Sequence, residues 1–235
     1  MANDPRFESP YYPYEKVQSG YNTLHGSEKI PKKLLNYLLD LPDKYGYQPT
    51  DNNARPRVRL MKYLWHDDAN PLGQALPTPK QKLSLLFDGD NPVIDTDELK
   101  AKHPKGYRLY AQKLWLPSQT IAKTIIKCYM GNSVHQDEYH ASLGITFEVW
   151  CNSNLQNNTR GDDYERAYDI EQCLVEALHG VNIAGIGVVS CGRYANVKNG
   201  SQAIYDETGT NVGRRLQMSI SWSDSDGSTI SEYNE

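Results

Sequence analysis

Apolar residues recur at Ile30, Leu34, Tyr37, Leu38 and Leu41, the spacing that lays one stripe along a helix. Ser27 stands at the N-cap position, Pro31 is tolerated in the first turn, and Pro42 closes the segment. The pattern therefore predicts a short amphipathic helix. Residues 45–79 are Pro-rich, and within them Val58, Leu60, Tyr63 and Leu64 suggest one strand or a short helical turn. Residues 82–87 (KLSLLF) read as a strand, stopped by the turn Asp88-Gly89-Asp90-Asn91-Pro92. Residues 107–116 alternate like a strand, and residues 121–130 are rich in β-branched side chains up to a break at Gly131-Asn132. The clearest strand is 141–151. Leu143, Ile145, Phe147, Val149 and Cys151 share one face and alternate with Gly144, Thr146, Glu148 and Trp150.

A polar loop leads to the strongest helix, residues 162–179. Asp162 and Glu165 fit a capping box, and Ala167, Ile170, Leu174, Ala177 and Leu178 form the buried stripe. Gly180 sits where a left-handed C-terminal cap belongs. Residues 183–194 form a glycine-interrupted strand, and 202–205 and 213–222 are further strands around a turn at 206–209. In the last strand Leu216, Met218, Ile220 and Trp222 alternate with Arg215, Gln217, Ser219 and Ser221. Strands and helices do not alternate regularly. This predicts an α+β fold, a mainly antiparallel β-sheet flanked by one long and one short helix. The expected organisation is an extended N-terminal arm (1–27), a helix and Pro-rich loop region (28–81), an α+β core (82–223) and a flexible acidic tail (224–235).

Composition supports the arm. The chain of 235 residues is only 38% hydrophobic, with a mean hydropathy of −0.69. Such a polar chain cannot be packed throughout. Residues 1–27 hold Pro5, Pro10 and Pro13 with a run of tyrosines, a combination that resists regular structure and supplies sticky anchors. No apolar run approaches the roughly 18–20 residues a spanning helix needs, and residues 1–14 lack a signal-peptide centre. The four cysteines, Cys128, Cys151, Cys173 and Cys191, contain no CxxC pair. They are expected to be reduced thiols, three of them buried in strand or helix core, in a reducing compartment.

Charge and motifs restrict the chemistry. The net charge is −4 with signs interspersed. Arg55, Arg57, Arg59 and Lys62 alternate like the exposed face of a strand, a candidate nucleic-acid contact or simply a solvated face. His66-Asp67-Asp68 and the group His135, Asp137, Glu138 and His140 offer imidazole and carboxylate ligands. The second group falls between two strands, where a polar hairpin tip is the competing reading. Asp88-Gly89-Asp90-Asn91 starts like a calcium loop, but Pro92 replaces a ligand. No GxSxG is present, Ser190-Cys191-Gly192 lacks a histidine the sequence can place, and Gly185-x-Gly187 is no dinucleotide fingerprint. The expectation is no enzyme, no cofactor and no metal. A metal-dependent hydrolase and a DNA-binding accessory protein remain the alternatives.

Surface chemistry favours association. Seventeen tyrosines are many for this length, and Tyr, Trp and Arg anchor interfaces. Tyr11, Tyr12 and Tyr14 lie in the arm, while Trp65, Trp115 and Trp150 fall in loops or on the sheet face opposite the core. In a ring-forming protein that second face is often buried by a neighbour.

Residues 145–222 also carry a recognisable order: a strand (ITFEVWCN), a polar loop, an amphipathic helix (DDYERAYDIEQCLVEALHGV), a glycine-punctuated strand (IAGIGVVSCGRY) and a last strand (RRLQMSISWSD). This stretch resembles the tail terminator and neck (head-tail connector) proteins of tailed bacteriophages. The resemblance implies a structural virion protein, made in the bacterial host cytoplasm, whose copies form a ring, usually a hexamer. That ring lies between the connector or portal and the tail tube and halts tail polymerisation. It implies no catalytic residues. Arg214, Arg215 and Trp222 are the matching positions for ring contacts, joined by Trp150 and the arm tyrosines. DNA would pass through an acidic lumen without specific binding. The long N-terminal half departs from compact members of those families and suits an arm that clasps neighbouring rings.

Overall fold

The computed structural model describes residues 24, 26–89, 97–113, 122–136, 140–156, 165–191 and 200–223. The fold is α+β, as the strand and helix pattern predicts: a seven-stranded, mostly antiparallel sheet curled into a half-barrel, with helices packed on it. The helices are α1 (Ile30–Leu38), α2 (Pro56–Trp65), α3 (Pro79–Leu83), α4 (Asp97–Lys102) and α5 (Arg166–Leu178). The strands are β1 (Leu109–Tyr110), β2 (Thr124–His135), β3 (His140–Asn152), β4 (Asn182–Ile183), β5 (Gly187–Ser190), β6 (Gly200–Tyr205) and β7 (Asn211–Ser223).

Several local expectations need correction. Ser27 does not cap α1. It opens a 3-10 turn after Gly26, whose φ of 80° reverses the chain, and the helix proper starts three residues later. The helix ends at Leu38 before Pro42 is reached, with Asp40 in the left-handed region. Of the strand and the short helical turn expected around residues 58–64, residues 56–65 take the helical form, as a ten-residue helix longer than a turn. Their alternation of basic and apolar side chains mimics period two, but Pro56 starts a helix and Val58, Leu60, Met61, Tyr63 and Leu64 are all buried. KLSLLF is likewise not a strand. Thr78 and Gln81 form a reciprocal capping box that winds residues 79–83 into α3, leaving only Leu86 to make a parallel bridge to Leu109.

The strand expected over 107–116 shortens to β1, which runs parallel to β2, while residues 114–121 lie outside the described residues. β2 continues through Gly131-Asn132 by a bulge between Met130 and Ser133. Gly144 of β3 makes room for it, since a Cβ there would stand 2.5 Å from the Asn132 carbonyl oxygen. α5 begins at Arg166 after an N-cap Glu165 that makes no side-chain cap, and Asp162 of the expected capping box lies outside the described residues. Gly180 has the expected left-handed φ, 74°.

β3 is central, paired with β2 on one side and along its whole length with β7 on the other. β5 and β6 both lie antiparallel to β7 on its far side, Ser190 opposite Ser219 and Gly200 opposite Gln217. They continue one line along the same side of β7; residues 192–199 lie outside the described residues. α5 packs across β3 and β7, α1 on β2, and α2 against α5 and the sheet at β2. One apolar core joins Ile30, Leu34, Leu60 and Leu64 to Phe147, Met218 and Leu174. Residues 28–81 and 82–223 thus share a single interior. A smaller aromatic cluster, Tyr107, Tyr110 and Ile125 with Phe87, Leu99 and Trp150, sits on the other face of the sheet. Among the described residues no helix is long and apolar enough to cross a membrane.

Candidate subunit interface

Adjacent residues on a strand point to opposite faces, so Arg214 and Arg215 of β7 serve different sides of the sheet. Arg214 lies opposite Val149 on the side covered by α5. Its Nε–H donates to Glu171 Oε2 at 2.6 Å, it also donates to Ser201 Oγ, and its guanidinium is 5.7 Å from the Tyr168 ring. Arg215 lies opposite Glu148 on the other face, and Glu148 Oε1 accepts from its Nη2 at 2.9 Å and its Nε at 3.1 Å. Tyr129 donates to the same oxygen at 2.7 Å, and Trp150 Nε1 donates to Oε2 at 3.3 Å. Burial pushes the Glu148 carboxyl up, but the donors Tyr129, Arg215 and Trp150 hold it below its ordinary range. The Tyr129 hydroxyl is raised by burial and by its bond to Glu148. Lys127 stacks 5.5 Å from the Trp150 ring, and burial lowers its pKa.

The sequence-predicted interface residues are therefore spread over two faces. Trp150 is half-buried in the aromatic cluster, and Trp222, opposite Ala141, packs partly buried on the main core. Arg214 and Arg215 keep 22% and 35% of their side chains exposed while paired internally. Tyr11, Tyr12, Tyr14 and Trp115 lie outside the described residues. Sequence reasoning missed the exposed aromatic residues beside Arg214, namely Tyr168 on α5 and Tyr205 at the end of β6, 39% and 71% exposed. The signal was there for Tyr168, which falls off the apolar stripe of its helix.

The other candidate groups have internal roles. Because residues 56–65 are helical, Arg57 leaves the face that Arg55, Arg59 and Lys62 share at i, i+4 and i+7, and each of the four is engaged within the chain. Arg57 pairs with Asp40 at 3.0 Å and donates to the Tyr37 carbonyl, and Arg59 pairs with Glu176 and contacts Cys173 Sγ at 3.4 Å. Lys62 is buried against Asp51 at 2.6 Å, and Arg55 donates to Tyr47 Oη. Asp67 holds Arg108 through two bonds of 2.6 and 2.8 Å, His66 Nε2 lies 2.9 Å from the Ala75 carbonyl oxygen, and Asp68 accepts from the Asn70 amide. His135 and His140 stand at the facing ends of β2 and β3, with Asp137 and Glu138 outside the described residues. Among the described residues no three His, Cys, Asp or Glu side chains gather to hold a metal. Asp88 accepts from Tyr107 Oη at 2.7 Å and Lys102 Nζ at 2.8 Å, and Asp90 and Asn91 lie outside the described residues.

The structure does bring a histidine to Cys191, but His179 Nδ1 accepts from the Cys191 backbone N–H at 3.1 Å rather than engaging the thiol. All four cysteines are free. Burial raises every thiol, Cys151 and Cys173 to about 11, so they stay protonated at neutral pH.

These features define the class of the protein: an α+β half-barrel. The profile of one protein family, YomW, matches residues 58–219, more than half of the chain. The chain belongs to the YomW family. No curated protein and no solved structure matches it.

Proposed function

We propose that this protein is a ring-forming structural subunit of a phage neck, tail-terminator-like, joining the connector or portal to the tail. One observation carries the reading. The stretch that resembles those proteins folds as one contiguous unit, with β3, β7 and β5 adjacent in the sheet and the Tyr-containing helix α5 laid across β3 and β7. Chemistry at the exposed edge of that unit supports it too, since Tyr168, Arg214 and Tyr205 are residue types that anchor contacts between chains. A subunit with net charge −4 suits a lumen through which DNA slides without sticking.

The test is assembly. The purified full chain, alone and mixed with connector and tail-tube proteins, is examined by mass photometry and negative-stain microscopy. Purified particles are probed with antibody to the chain. Rings of one fixed copy number and label at the neck are expected. A protein that stays monomeric in every mixture and is missing from particles overturns the reading.

A further inference from the structure

The sheet face away from α5 is nearly free of acid. The chain carries 29 Asp and Glu residues, yet among the described strand residues Glu148 is the only carboxylate. Its oxygens are already engaged by Tyr129, Arg215 and Trp150. Two lysines beside it have no such partner. Lys113 sits 5.6 Å from the Tyr129 ring and Lys127 5.5 Å from the Trp150 ring, and among the described residues neither makes an ion pair. Burial lowers the Lys127 pKa, and repulsion from Lys113 adds to the drop.

Lys127, Glu148 and Arg215 stand in one row across β2, β3 and β7. The two cations therefore flank the carboxylate, on strands about 10 Å apart. Tyr129 follows in the next row with Thr146 and Gln217, and Gln202 of β6 lies opposite Arg215. Solvent reaches the face at these rows. Lys113, Gln202 and Gln217 are exposed, Tyr129 and Trp150 are partly so, and Arg215 keeps 35% of its side chain exposed. Glu148 holds both aromatic side chains by their polar ends, so the rings are in place before a ligand arrives.

We propose that this face binds single-stranded nucleic acid, with phosphates meeting Lys113, Lys127 and Arg215 and a base stacking on Tyr129. Cations set beside aromatic rings on an open sheet are the combination such a strand recognises. A base that takes the place of Lys113 on the Tyr129 ring releases that ammonium to a phosphate. Gln202 and Gln217 offer amides to base edges without demanding one sequence. Duplex DNA presents no free base face, so it gains from the cations alone. The inference does not rest on the neck reading, since it needs no ring.

Fluorescence anisotropy of a labelled thymidine oligonucleotide of about twelve nucleotides, titrated with the full chain, tests it. Binding that weakens as salt rises is expected. Lys113→Ala, a change at an exposed position, should weaken it and lower the salt slope by about 0.7. Tyr129→Leu should cost about tenfold in affinity, and Tyr129→Phe, which keeps the ring, should recover most of that loss. Glu148→Gln should tighten binding, because it removes the carboxylate from the face and frees Arg215. Lys32→Ala, on α1, should change nothing. Circular dichroism checks the fold of each variant. A duplex of the same length and polyglutamate, run alongside, should both bind more weakly than the single strand. Three results would each overturn the proposal: no binding at low salt, duplex or polyglutamate held as tightly as the single strand, or Lys113→Ala and Tyr129→Leu both without effect.

Discussion

Glu148 is a carboxylate on the sheet face away from α5, and three side chains, Tyr129, Arg215 and Trp150, converge on it. Only 4% of the residue is exposed, so its hydrogen bonds are made where water competes little. Despite its burial, those donors hold its pKa below the ordinary carboxylate value in the folded chain. The unfolded chain therefore binds the proton more tightly, and the stabilisation is full above the ordinary carboxylate pKa and lost as pH falls through the folded value. Glu148→Gln should cost about 1–3 kcal/mol at neutral pH, the penalty for weakening bonds to a buried charge. Urea unfolding of both proteins across the acid range should show the gap closing as the wild-type carboxyl protonates. A gap that stays constant with pH would mean the side chain matters for shape alone.

At the scale of elements, cations from elsewhere in the chain close the carboxyl ends of two helices. Arg57 and Lys82 donate to the carbonyls of Tyr37 and Asp40 at the end of α1. The fully buried Arg166 donates to those of Tyr63, His66 and Asp68 at the end of α2. Such ends carry free carbonyls and partial negative charge, which a guanidinium or ammonium satisfies. β7 meets β3 still more tightly, for a Cβ on Gly213 would stand 2.1 Å from the Val149 carbonyl oxygen. Gly213→Ala should therefore disrupt the β3–β7 ladder and cost more than about 3 kcal/mol, while Gly200→Ala, with nothing within 4 Å, should change little. Denaturant midpoints of the two variants provide the comparison. β3, β7 and α5 were legible in the sequence because their apolar positions keep one period over many residues. α2 and α3 were not. α2 is buried nearly all round between other elements, which erases a one-sided stripe, and α3 is too short for a period and is set by its cap. The candidate interface was legible in residue type at Arg214 and Arg215. That their charges are taken up by Glu171 and Glu148 depends on strand register and helix placement, which no local pattern encodes.

Across the whole molecule, α5 is held by two neighbours, the β3–β7 part of the sheet and α2. Its polar contacts repeat the arrangement: Arg214 reaches Glu171 from the sheet, while Tyr63 reaches Asp169 at 2.8 Å and Arg59 reaches Glu176 from α2. A fragment of residues 82–223 would keep every described strand and still lose Leu34, Leu60 and Leu64 from the core. It would also strip from the buried Arg166 all three carbonyls it binds. An unpaired buried cation is among the costliest defects a fold can carry, and it would coincide here with an uncovered apolar helix face. The fragment should show secondary structure by far-ultraviolet circular dichroism but no cooperative thermal transition and strong binding of a hydrophobic dye. The full chain should unfold in one calorimetric step with matching calorimetric and van't Hoff enthalpies. A cooperative transition in the fragment would show instead that the sheet and α5 form a folding unit to which α1 and α2 are merely attached.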